Sequence, residues 1–366
     1  MTTKAGTVAL LGRPNAGKST LINALIGDKV AIVSAKPQTT RHRIAGIVNE
    51  ERGQIVLFDL PGVHRPLHRL NVQMMHVLRD TLAEVDLVVQ IFDAAEEPGG
   101  GEEFVVGLLD AVRVPVVLIA NKLDRTVVRH HLGERLGFFT AKHDYAATMA
   151  VSALHGTGLK RLKDVLFELL PEGQALLPSD ISTTQSERFF VGEMVREAAL
   201  ERVDKELPFH LTVLIRHFEE IERPKGPLLR VFADIVVDRD SQKGILVGRA
   251  GRMIKEIGTA ARQRLEHILG AQVFLDLQVK ARPGWREDPR FLTELESFEA
   301  IVDWGAAAGA GDRGARLAAD GADAGRDDGD MADTHPQSGG ETTRNGHDDD
   351  GDESGSCAGA DGLDQR

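Results

Sequence analysis

Over the first 170 residues, short apolar runs alternate with segments whose apolar positions recur every three to four residues. The runs at 7–11, 44–48, 55–60, 86–93, 115–121 and 148–152 are nearly continuous, as expected of strands covered on both faces. Helical periodicity over 18–25, 71–82, 103–112 and 159–170 predicts amphipathic helices between them. The alternation predicts an α/β fold, a doubly wound sheet whose ligand lies at the C-terminal edge of the strands.

The pattern changes after a polar stretch, 173–187, that reads as a linker because of its Ser/Thr content and the nearby Pro171 and Pro178. A helix over 188–206 is followed by strands at 210–219 and 228–238, a helix at 241–247, a glycine-bounded turn at 248–251, a helix at 253–269 and a strand at 272–281. We therefore expect a domain over 1–172, a smaller α+β domain over 188–290, a C-terminal segment over 291–304 and a tail over 305–366.

Charge divides the same way. The net charge of −12 belongs mostly to the tail, which carries fifteen acidic residues against five arginines and no lysine. Rich in Gly, Ala and Asp, the tail has too little apolar surface to offset its ordering entropy, and we expect it to be disordered. The single cysteine, Cys357, excludes a disulfide or a cysteine zinc site within one chain. No run of about 18 apolar residues would span a membrane, and the N-terminus lacks a signal-peptide pattern. A cytoplasmic protein is expected.

Candidate chemistry begins at 12–20, GRPNAGKST, placed between a strand and a helix as a phosphate-binding loop requires. Gly12, Asn15, Ala16 and Gly17 would let backbone N–H groups face phosphate oxygens. Lys18 would reach the β and γ phosphates, while Ser19 and Thr20 follow at the helix start. A plain glycine turn before a helix would leave the Lys-Ser pair unexplained. Asp59 ends an apolar run, in DLPG with Gly62, where a Mg²⁺ shell needs an anion. Asn121, Lys122 and Asp124 end another run. Asp124 there could accept both the N1–H and the exocyclic amine of guanine, donors that adenine lacks. Ser152, Ala153 and Leu154 close a third strand and could touch the base from the other side. The polar loop 37–41 holds Thr39 and Thr40, either of which could meet Mg²⁺ and the γ-phosphate when GTP is bound. We take Thr40 as the Mg²⁺ ligand, with Ser19 and Asp59.

In the second domain, helix, GxxG turn and helix flanked by strands form a KH arrangement, whose turn clamps the backbone of single-stranded RNA. Gly248, Arg249, Ala250 and Gly251 form that turn, with Lys243, Arg252 and Lys255 around it. From 239 to 290 there are eleven Lys and Arg against six Asp and Glu, a balance suited to phosphate. Trp285 follows a Pro-Gly turn; packing on the domain is expected over stacking on a base.

The strings GRPNAGKST, KPQTTRHRIAGI, DLPGVH, NKLD and SAL, then DSQKGILVGRAGRMIKEIGTAAR and QVKARPGWRED, resemble the Era family of bacterial GTPases over roughly the first 300 residues. That resemblance implies a Ras-like G domain joined to a type II KH domain, binding of the 3′ end of 16S rRNA, and a role in maturation of the 30S subunit. It also implies peripheral membrane association in some members, with the chain taken as a monomer. The acidic tail departs from the family, whose members end near residue 304.

Lys18, Asn15, Thr40 and Gly62 are then expected to serve catalysis. Val63 stands where Ras-type enzymes carry the glutamine that orients water. Asn15 resembles an asparagine that elsewhere helps hold K⁺ in place of an arginine finger, so slow intrinsic hydrolysis, raised by K⁺ or a ribosomal partner, is expected. Two other classes compete: a constitutive RNA-binding protein with a structural nucleotide site, and a membrane-docked signalling GTPase.

Overall fold

The computed structural model describes residues 3–36, 38–63 and 68–296. Its first domain is a six-stranded sheet in the order β2-β3-β1-β4-β5-β6. The strands are β1 (Lys4–Leu11), β2 (Ile44–Glu50), β3 (Gly53–Asp59), β4 (Leu87–Asp93), β5 (Val116–Asn121) and β6 (Ala147–Ala150). All pairs are parallel except β2 with β3, a hairpin that places an antiparallel strand at one edge. Helices α1 (Lys18–Ile26), α2 (Arg69–Glu84), α3 (Gly100–Gly107), α4 (Val128–Thr140) and α5 (Leu159–Leu169) cover the two faces.

The sheet is buried on both sides because its central strands carry long apolar runs: Val8 to Leu11, Leu87 to Val89 and Val117 to Ala120 are almost wholly inaccessible. One core packs α1 and α5 on Val8, Leu10, Leu57 and Ile119; another packs α2 and α3 on Ala9, Val56 and Val88. Parallel pairing brings the ends of β1, β3 and β5 to a single edge, and with them the segments after Leu11, Asp59 and Asn121. Helix α4 has no counterpart in the sequence reading. The expected helix at 103–112 instead starts at Gly100 and ends in a 3₁₀ turn, Leu108–Ala111.

The second domain pairs β7 (Thr212–Ile221) antiparallel to β8 (Leu228–Val237), which runs parallel to β9 (Gln272–Ala281). Helices α6 (Glu187–Leu200), α8 (Asp240–Val247) and α9 (Arg252–Leu269) cover the inner face, over a core of Val195, Ile235, Leu246, Ile257 and Val279. The helix expected over 188–206 stops at Leu200. A turn follows, with Lys205 at φ 57°, and then the short α7 (Leu207–His210), which carries Pro208 in its first turn.

Residues 177–183 are fastened to the edge strand β2 rather than spanning open solvent. Ile47 N–H donates to the Ser182 carbonyl at 2.8 Å and Thr183 Oγ1 to the Ala45 carbonyl at 2.6 Å, while Gln54 Nε2 of the neighbouring β3 donates to the Leu177 carbonyl at 2.8 Å. At the other end, α10 (Pro289–Glu296) continues the folded domain beyond the expected boundary at 290. Phe291, Leu292 and a fully buried Trp285 pack with Leu70 and Met74 of α2. Trp285 Nε1–H donates to the His210 carbonyl at 3.0 Å, so its indole is part of the core. The acidic tail, Trp304, Cys357 and Pro37 lie outside the described residues.

Candidate functional site

The chain leaves β1 and turns back at 12–17 to start α1, and the turn is closed by contacts only glycine permits. A Cβ on Gly12 would lie 2.3 Å from the Ile91 carbonyl, and one on Gly17, at φ +97°, 2.2 Å from Asn121 Nδ2. Asn15 also adopts a left-handed conformation, φ 65°, and donates from Nδ2 to the Ala35 carbonyl at 3.0 Å. Ala16 is buried beneath the loop. The result is a cleft of about 570 Å³ at the sheet edge, lined by Asn15, Gly17, Lys18, Ser19 and Thr20 on one side and by Thr39, Thr40, Gly62, Lys122 and Leu154 on the others.

Lys18 is buried and its Nζ donates to the carbonyls of Gly12 at 3.0 Å and Arg13 at 3.2 Å. Burial pushes its ammonium down from the ordinary lysine range, and the charges of Asp59 and Glu102 oppose that. Burial likewise pushes the Glu102 carboxyl up to about 7, although Arg13 stands beside it at 3.7 Å.

Ser19, Thr40 and Asp59 meet at one corner. Ser19 Oγ donates to Asp59 Oδ2 at 2.5 Å, Thr40 Oγ1 lies 3.1 Å from the same oxygen, and the two hydroxyls are 2.8 Å apart. Asp59 is fully buried, and its other oxygen, Oδ1, has no hydrogen-bond partner. Burial pushes its carboxyl up, against Lys18 and the two hydroxyls. A buried carboxylate oxygen without a donor beside two hydroxyls is an all-oxygen set that suits a hard divalent cation such as Mg²⁺. Thr39 is turned the other way, its hydroxyl donating to the Lys36 carbonyl at 2.6 Å. Of the two threonines, Thr40, the one taken from the sequence as the Mg²⁺ ligand, is the one whose hydroxyl lies at this corner.

At the far end of the cleft, Asn121 ties three segments together: its Nδ2 donates to the Ala16 carbonyl at 2.9 Å and its Oδ1 accepts Ala153 N–H at 3.0 Å. Lys122, at φ 66°, places its ammonium 2.5 Å from Asp93, a partner the sequence reading missed. Asp124 is exposed and accepts Ser152 Oγ at 2.5 Å, a bond that holds its carboxyl below the usual range. Leu154 is 71% exposed at the mouth of the cleft. Gly62 packs on Pro14, where a Cβ would come within 2.9 Å, and the next N–H, of Val63, donates to the Gly12 carbonyl at 3.1 Å. Val63 itself is buried and apolar.

In the second domain, α8 ends at Gly248 (φ 70°), Ala250 is left-handed at φ 52°, and Gly251 (φ 75°) starts α9. Lys243, Arg249, Arg252 and Lys255 are all exposed around this turn, and Arg252 pairs with Glu256 at 2.8 Å. A groove of about 410 Å³ runs between α9 and the edge strand β9, lined by Ile254, Lys255, Gly258, Arg262, Leu275 and Leu277. The sequence reading found the turn and missed the groove. Its signal was Gly258, inside a helix otherwise periodic, whose missing Cβ would lie 3.3 Å from Leu277.

Two family models match this chain: a 50S ribosome-binding GTPase over residues 7–122 and a KH domain over residues 207–286. GTPase Era of Heliobacterium modesticaldum is 45% identical over 289 residues, 79% of this chain and 95% of the relative. GTPase Era of Alkaliphilus metalliredigens is 40% identical over 295 residues, 81% and 99%. Among solved structures, Era in complex with MgGDPNP and nucleotides 1506-1542 of 16S ribosomal RNA matches with a TM-score of 0.76 at 35% identity, covering 80% of this chain and 98% of that one. A variant of Aquifex aeolicus Era bound to GDP.AlF4- matches with the same TM-score and identity, covering 80% and 99%.

Proposed function

The chain belongs to the Era family of GTPases, and from that membership we propose that it is a cytoplasmic, GTP-hydrolysing switch that binds the 3′ region of 16S rRNA through its KH domain and assists maturation of the 30S subunit. The observation that carries this reading is the Ser19, Thr40 and Asp59 corner, where the loop ahead of β2 meets the phosphate-binding loop. A segment tied to that corner can report whether a γ-phosphate is present.

In this reading the 12–18 amides and Lys18 hold the phosphates, and Gly62 N–H faces the γ-phosphate. Asp124 reads guanine, with Asn121 and the 152–154 loop bracing its position. Ser19, Thr40 and Asp59 would hold Mg²⁺, which when bound neutralises charge on the phosphate oxygens. Val63 can neither accept nor donate through its side chain, so it cannot orient the attacking water. Hydrolysis is therefore slow alone and raised by a ribosomal partner or by K⁺ held near Asn15.

The test compares affinity for a short RNA bearing the 16S rRNA 3′ sequence in the GTP-analogue, GDP and empty forms at fixed salt. Tighter binding with the GTP analogue is expected. Equal affinity in all three forms would point to a constitutive RNA-binding protein. No helix among the described residues is long and apolar enough to cross a membrane. Vesicle binding that single-stranded RNA fails to displace would favour the membrane-docked alternative.

The two threonines give a sharper test. Thr40→Val is expected to weaken GTP-analogue binding in the presence of Mg²⁺ by roughly tenfold, the order expected for one hydroxyl ligand or hydrogen bond. Thr39→Val should change it by less than about threefold, since its hydroxyl only closes a local turn. Equal effects at the two positions, read by equilibrium nucleotide binding, would contradict the assignment.

A further inference from the structure

Helix α6 and the segment after it, both from the second domain, grip the loop at 29–41. Glu197 is 2% exposed; it accepts Val33 N–H at 2.7 Å and the Lys29 ammonium at 2.8 and 2.9 Å. Arg196 is 1% exposed, forks onto Glu193 at 2.7 and 2.6 Å, and its Nη2 also donates to the Thr39 carbonyl. Arg41 reaches across to the carbonyls of Leu211 at 2.8 Å and Pro208 at 3.0 Å. Thr40 is thus bracketed, with an anchored carbonyl on one side and an anchored side chain on the other.

This is an expensive way to join two domains. Two guanidiniums are buried with one carboxylate bonded to Arg196 alone, and Arg196 Nη1 and Arg41 Nε have no hydrogen-bond partner although buried. Burial and the neighbouring Arg196 pull Arg41 down to about 9, which still leaves it charged at neutral pH. Against burial, which works the other way, Arg196 holds Glu193 below the usual carboxylate range. Apolar residues of similar volume would hold a domain interface at least as well. What they could not do is hold a loop carbonyl at a fixed point with a directed donor.

We propose that Arg196 is a positioning residue for triphosphate recognition: by holding the Thr39 carbonyl it fixes the Thr40 hydroxyl at the Ser19 and Asp59 corner. The helix that opens the RNA-binding domain thereby completes the nucleotide site of the other domain. Linkage makes the coupling reciprocal, so a triphosphate that uses Thr40 also stabilises the arrangement of α6. The inference rests on the GTPase reading above.

The experiment measures affinity of the full chain for a GTP analogue and for GDP across a Mg²⁺ titration, beside thermal melting. The wild type is compared with Glu193→Gln/Arg196→Met, which removes both charges at similar volume, and with Arg196→Lys, which keeps a charge and one directed donor. We expect the double variant to lose about tenfold or more in GTP-analogue affinity and to need more Mg²⁺, while GDP affinity stays within about threefold. Arg196→Lys should fall between. Equal loss for both nucleotides, or loss for neither, overturns the proposal. If the double variant does not melt cooperatively, Arg196→Lys decides: an unchanged ratio of the two affinities overturns the proposal, and a lowered one supports it. A wild type that bound neither nucleotide would instead defeat the GTPase reading itself.

Discussion

Gly251→Asp is expected to lower affinity for single-stranded RNA by at least about 100-fold while leaving GTP binding unchanged. Gly251 stands at the start of α9, where unpaired backbone N–H groups and the helix dipole favour a phosphate. An aspartate there would set a carboxylate where the RNA backbone approaches, replacing attraction by repulsion. The fold should survive the change. Nothing lies within 4 Å of a Cβ at this position, and its φ of +75° is one that Asp tolerates better than most residues, at roughly 1 kcal/mol. Gly248 is the poorer place to intervene, because a Cβ there would lie 2.8 Å from Met253 Cβ and 3.0 Å from its backbone nitrogen. Fluorescence anisotropy at two salt concentrations, with a melting curve and a nucleotide titration, makes the measurement. A loss smaller than about fivefold would remove the turn from the RNA-binding surface.

The nucleotide end of the molecule was largely legible because each motif sits at the end of a continuous apolar run, and parallel strands carry such ends to one edge whatever their order. The sequence could place Asp59 and Asn121 there without knowing which strands are neighbours. Its preference for Thr40 over Thr39 had little behind it, since the choice depends on which hydroxyl reaches Ser19 across a loop. Contacts between the domains were invisible. Arg196 and Thr39 are 157 positions apart, and a buried arginine in a helix reads as a solvated one until its surroundings are known. Residues 177–183 looked like a free linker because they are attached to β2 and β3 mainly through their own backbone carbonyls, which leave no mark in composition. Helix α4 was missed for a local reason: Val128, Leu132, Leu136 and Phe139 keep the helical period, but Gly133 and Gly137 interrupt it with poor helix formers.

Asp124→Ala is expected to weaken GDP and GTP binding by 10² to 10⁴-fold, on the order of two charge-assisted hydrogen bonds of about 1.5–3 kcal/mol each, with the exposure of Asp124 favouring the lower end. The other side chains at that end of the cleft are already committed. Both polar atoms of Asn121 are already engaged, one with the Ala16 carbonyl and one with Ala153 N–H. The Lys122 ammonium is drawn to Asp93, so its aliphatic stem is what faces the cleft. The Asp93 carboxylate is taken up by Lys122, which leaves Asp124, exposed just beyond the cleft's lining residues, as the carboxylate for the base. The Ser152 hydroxyl occupies one oxygen at 2.5 Å and, by lowering the pKa, keeps the group ionised throughout the neutral range. Guanine presents two adjacent donors to such an acceptor, and adenine does not. The change should therefore act on guanine nucleotides and leave the weak binding of ADP where it was. Calorimetry with GDP and ADP on wild type and variant separates the outcomes: a loss shared by both ligands would report damage to the fold, and an unchanged GDP affinity would mean that the base is read elsewhere. Since Ser152 orients the carboxylate without touching the base in this reading, Ser152→Ala should show the same selectivity at a smaller scale, about threefold to tenfold.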